Sequence, residues 1–161
     1  ARSRAMPRTP VQSGRFGVPA LAWNDQLAAE AMGHAQFMAR TGIYGHDQTP
    51  GRRKKMGENL WRGQRGVFSY DVMVGVMVEE AKHFRPGVFP DVSRTGNWYQ
   101  VAHYTQIVWP TTTEVGCALA SSATTERRVP AVVYSTPPTI NGVDCRLNSA
   151  CGPSASNTSS Q

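Results

Sequence analysis

No apolar run in this chain approaches the ~20 residues of a membrane-spanning helix, so a helical membrane protein is set aside. The first ten residues, Ala1 to Pro10, lack the apolar core of a secretory signal, although a mature chain with its leader removed would read the same. Two catalytic signatures are also missing. There is no His-Glu-x-x-His and no Gly-x-Ser-x-Gly elbow, which removes the usual sequence grounds for a zincin or a serine hydrolase. Cysteine is scarce, with three in 161 residues. The simplest pairing is Cys145 with Cys151, leaving Cys117 as a buried free thiol, and two unlinked thiols are the alternative that the count leaves open. Acidic residues are few as well, 11 against 17 lysines and arginines, for a net charge of +6. Four of the cations are consecutive, Arg52 to Lys55, but no stacking aromatics surround them. The run therefore reads as a solvated loop with a weak pull toward anionic polymers or membrane surfaces, not as a nucleic-acid interface.

What is present fits one domain large enough to bury a core. Residues 1–16 read as an arm with no firm structure. Organised sequence starts at Val18, and Asn24 is a good helix cap with Asp25 in the first turn. Leu27, Ala31, His34 and Met38 recur at helical spacing, and Thr41-Gly42 ends the element. His34 is alone on that stripe and receives no role. A loop through Ile43 to Asp47 follows and carries His46.

A second helix is predicted over Ser69 to Phe84, where Met73, Met77, Glu80 and Phe84 share a narrow sector at 100° per residue. Of the adjacent glutamates, Glu80 lies with the methionines and Glu79 faces water. A carboxylate on an apolar stripe needs a cation, a donor or a proton, and Glu58, embedded in Met56 to Trp61, has the same need. Thr105 to Trp109 is β-branched and aromatic and predicts a buried strand, stopped by Pro110, with His103 at its mouth. Val115, Cys117 and Leu119 predict a strand with one buried face, and Ala131 to Tyr134 a further strand. The tail from Gly152 is polar, and Asn157-Thr158-Ser159 is a formal glycosylation sequon.

Several of these segments resemble the CAP superfamily of cysteine-rich secretory, antigen-five and pathogenesis-related proteins. The matching text is Gly17-Val18-Pro19-Ala20-Leu21-Ala22-Trp23-Asn24, Gly45-His46, Gly57-Glu58-Asn59-Leu60, Glu80, and His103 through Trp109. The resemblance covers about residues 17 to 140, and its last motif is long and ordered enough to be specific. It implies an α+β fold, a three-layer α-β-α sandwich with a central antiparallel sheet, and the CAP domain is placed at residues 17–144, followed by a tail, 145–161, that holds Cys145 and Cys151. It also implies a secreted chain and a cleft lined by His46, His103, Glu58 and Glu80, whose two histidines bind a divalent ion, typically zinc, in some members of the family. Val101-Ala102 stands in place of a common Cys-Gly, which removes one family disulfide.

The leading expectation is a non-enzymatic binding domain that holds a divalent metal at His46 and His103. A sterol or fatty acid would occupy a separate groove. The competing expectation is a metal-assisted hydrolase with Glu58 or Glu80 as catalytic base. A third is a polar network that only fixes the fold.

Overall fold

A computed structural model of the protein describes residues 21–51, 56–121, 128–135 and 144–145. The arm at 1–16, the basic run Arg52 to Lys55, the Cys145–Cys151 pairing, the polar tail and its sequon lie outside the described residues.

Strand β1 (Ala22–Trp23) leads into helix α1 (Asp25–Thr41). The Asn24 side chain caps α1 by accepting from the Leu27 N–H at 3.0 Å. At the other end Gly42 adopts φ 73 and its N–H bonds the Met38 carbonyl, the left-handed stop that glycine reaches without strain. Strand β2 (Gly57–Gln64) follows, then helix α2 (Tyr70–Val78), which tightens into a 3-10 helix at Glu79–Lys82. The predicted Ser69–Phe84 helix is therefore α-helical over its first part only. Strand β3 (Gly87–Val88), a 3-10 turn at Trp98–Val101, helix α3 (Ala102–Ile107), and strands β4 (Glu114–Leu119), β5 (Arg128–Ser135) and β6 (Asp144–Cys145) complete the order.

The strand expected at Thr105 to Trp109 is corrected: its first residues belong to α3 and no part of the run is a strand. The buried residues there are Val101, Tyr104, Thr105, Val108 and Trp109. Their steps of three, one, three and one trace a helical face. Burial of that face outweighs the modest β-preference of valine, isoleucine and threonine.

The main sheet has the order β1-β4-β5-β2. Its β2–β5 and β4–β5 pairs are antiparallel, but β1 runs parallel to β4, so the expected antiparallel sheet is in fact mixed. A parallel pair needs a long crossover, and here most of the domain lies between β1 and β4. Helices cover opposite faces. Leu60 of β2 joins Leu27, Ala31, Ala35 and Met38 of α1 in one core. On the other face, a Cβ at Gly57 would meet the Gln106 side chain of α3. There a second core gathers Phe84, Val92, Val101, Tyr104, Val108 and Trp109.

The face of Val115, Cys117 and Leu119, expected to be the buried one, is half-buried. Gly116 is the buried member of β4, and Ala118 packs on the α1 core. A Cβ at Gly116 would lie 2.2 Å from the Ala28 amide nitrogen, so α1 comes close only because that position is bare.

Candidate functional site

The alternation of β2 sends Glu58 and Asn59 to opposite faces of the strand, and each is tied to one of the two sequence-predicted histidines. Among the described residues β2 forms one edge of the main sheet, so both histidines are attached at that edge.

On the α3 side, Glu80 Oε1 lies 2.6 Å from His103 Nδ1 and its Oε2 accepts the Tyr104 N–H at 3.0 Å. The Asn59 amide donates to the His103 carbonyl at 3.1 Å. Glu79 is exposed, whereas the Glu80 side chain is 19 % exposed and that of His103 is 40 % exposed. The helical-sector reading of the two glutamates thus holds through the 3-10 turn.

On the α1 side, Glu58 repeats the arrangement. One oxygen meets His46 Nδ1, and the carboxylate accepts the Asp47 N–H at 3.2 Å. The Glu58 side chain is 11 % exposed and that of His46 is 52 % exposed. In each pair one carboxylate grips a ring nitrogen and the backbone N–H of the following residue. A carboxylate only accepts, so each Nδ1 carries a proton, and it is the neutral form of each ring that offers a lone pair at Nε2. The hydrogen position follows from the partner chemistry.

Nearby, the Arg62 guanidinium lies 4.5 Å from the Tyr44 ring centroid. Burial raises the Tyr44 phenol above its ordinary range, Arg62 draws it down, and Glu58 adds to the rise. A cavity of about 720 Å³ opens beside His46, which lines it together with His34, Phe37 and Ile43 among others.

A sequence profile of the CAP, or cysteine-rich secretory protein, family matches residues 14–135. The chain belongs to the CAP family. Venom allergen 5 of Vespa magnifica is 32% identical over 120 residues, covering 72% of this chain and 48% of the relative. Venom allergen 5.02 of Dolichovespula maculata is 36% identical over 103 residues, covering 60% and 44%. The chain thus spans about half the length of these relatives. Among solved structures, venom allergen-like protein 4 of Schistosoma mansoni superposes with a TM-score of 0.59 at 20% identity, covering 87% of this chain and 84% of that one. At such identity the likeness carries the fold, the α-β-α arrangement of the family, with helices on both faces of the sheet.

In this CAP domain the four predicted side chains come together as two pairs, His46 with Glu58 and His103 with Glu80. Among the described residues no group of three or more histidine, cysteine, aspartate or glutamate side chains is placed to hold a metal ion. Each of His46 and His103 is backed at one ring nitrogen by a carboxylate, the support that metal-ligating histidines usually have. His34 was missed at the sequence level. Its Nε2 donates to the Gly45 carbonyl at 2.8 Å and lies 3.9 Å from Glu58 Oε2. The only trace in the sequence was a polar ring on the apolar stripe of α1.

Proposed function

We propose that this CAP domain is a secreted binding protein in which His46 and His103 take a divalent ion, zinc by preference, through their Nε2 atoms. Glu58 and Glu80 fix the rings from behind. The observation behind the reading is the repeated grip on Nδ1 and on the next backbone N–H at both imidazoles. A carboxylate at one ring nitrogen sets the tautomer that offers the other to a metal and raises its basicity. Imidazole suits zinc better than it suits calcium or magnesium, which prefer oxygen.

Two protein nitrogens leave the remaining positions to water, so affinity is expected below that of a three-ligand site. When bound, the ion would supply an open coordination position for an anionic ligand. The chain's own residues hold the rings and exclude the wrong tautomer. Secretion follows the venom and secretory relatives.

The hydrolase reading is less well supported, because either carboxylate would have to release one of its two donors to act as a base. For an apolar ligand, such as a fatty acid or sterol, we propose the cavity beside Phe37 and Ile43, which His46 also lines and which therefore adjoins the histidine site instead of lying apart from it; its volume falls in the ordinary ligand range.

Calorimetry with zinc chloride tests the metal reading. Wild-type protein should bind one ion, and His46→Ala and His103→Ala should each lose affinity by more than about tenfold, the scale of one coordination bond or its support. Equal affinity in all three proteins would overturn it. Zinc-dependent turnover of a peptide or ester, abolished by Glu80→Gln, would instead favour the hydrolase.

A further inference from the structure

The two imidazoles of the site are carried by backbones of very different stiffness. His103 sits in α3, where the helix fixes its main chain and Asn59 holds its carbonyl. His46 sits in the connection between α1 and β2, where the described residues 42–51 form no helix or strand. A ring on such a loop keeps its direction only if the adjoining peptide planes are held.

From this difference we infer that His34, on α1, is a positioning residue for His46, acting through the Gly45 carbonyl. The Gly45–His46 peptide is one rigid plane, so fixing its oxygen restricts the φ of His46. His34 Nε2 lies 2.8 Å from that oxygen, and since a carbonyl only accepts, the ring donates. The next peptide is held by Glu58, which accepts the Asp47 N–H at 3.2 Å. His46 is therefore clamped on both sides, by His34 before it and by Glu58 after it.

The anchor itself is well founded. The His34 side chain is only 8 % exposed, and its ring stacks on that of Phe37, one helical turn on, with centroids 6.1 Å apart and planes 11° from parallel. Its Nε2 is committed to a carbonyl and is not a third metal ligand. At 3.9 Å from Glu58 Oε2 it is beyond a hydrogen bond, so its influence on His46 runs through the backbone. The same contact fixes one wall of the cavity, which His34, Gly45 and His46 share.

This inference builds on the proposed metal reading, so its test has a readout that needs no metal. Long-range proton–nitrogen spectra of the ring nitrogens report tautomers directly, and His103 serves as the internal control. In wild type both His46 and His103 should be Nδ1-protonated. His34→Phe keeps the stacked ring and removes the donor, while His34→Gln keeps a donor on a residue suited to a helix. With Phe, the His46 spectrum should move to a mixture of tautomers and His103 should stay unchanged. With Gln, the wild-type His46 spectrum should return.

Zinc affinity should fall more than about fivefold with Phe and recover with Gln, as for loss and repair of support outside the coordination shell. An unchanged His46 spectrum in a folded His34→Phe protein would overturn the inference. So would a loss that His34→Gln fails to rescue while His103 and the melting temperature match wild type. Absent zinc binding in wild type, with the spectra as expected, would refute the metal reading and leave the positioning role standing.

Discussion

Glu79 and Glu80 are chemically identical neighbours, and a single step along the chain separates a solvated charge from an anchor. Glu80 accepts from an imidazole and a backbone N–H, whereas Glu79 stands exposed. A glutamine at 80 offers only one acceptor oxygen, and its amide would oppose the second donor. Glu80→Gln is therefore expected to cost about 1–3 kcal/mol, the penalty of orphaning a donor. Glu79→Gln should stay within about 0.5 kcal/mol, and chemical denaturation of the two variants checks both.

Cys117 offers a pH prediction at the same scale. Burial pushes its thiol from 9.0 up to about 12. In the unfolded chain the thiol ionises first, so the unfolded state holds fewer protons between these values. Stability is then intact below pH 9.0 and declines toward about pH 12. Cys117→Ala should remove that part of the alkaline decline in thermal melts. Peptide mapping after iodoacetamide at neutral pH should find Cys117 unmodified in the native protein and modified in denaturant.

Among the elements, α1 comes close to β4 at Gly116. Gly116 admits the α1 backbone, so Gly116→Ala must displace the helix and should cost about 1–3 kcal/mol, as overpacking does. Gly75, inside α2, has nothing within 4 Å of an added Cβ. Gly75→Ala should therefore stabilise the fold by about 0.5–1 kcal/mol, and differential melting of the pair tests the contrast. Helix α1 was legible in the sequence from its cap, stripe and terminal glycine, because these signals are local. Helix α3 was not. Its β-branched residues favour a strand when taken singly, and the helical period of its buried positions emerges only against the core that covers Val101, Tyr104 and Val108.

In the molecule as a whole, two apolar cores lie on opposite faces of one sheet. Strand β2 touches both layers, α1 through Leu60 and α3 through Gly57 and Asn59, so the loss of one layer is expected to disturb the other. Leu60→Ala, cut into the α1-side core, is expected to cost about 2–5 kcal/mol. The far-ultraviolet signal and the tryptophan fluorescence, which includes Trp109 in the opposite core, should shift together. Separate transitions would show that the two layers unfold independently.

The sequence by itself determined the family, the capped helix α1, the strand character of β4 and β5, and the inward direction of Glu80. Each rests on short-range chemistry, namely a cap, a period or an ordered motif. Only the tertiary structure decided the rest: the parallel β1–β4 pair, helix rather than strand before Trp109, the split of four site residues into two carboxylate–imidazole pairs, and the place of His34. Those outcomes depend on contacts between residues far apart in the chain, such as Asn59 with His103. Chain spacing cannot encode which face of an edge strand each partner reaches.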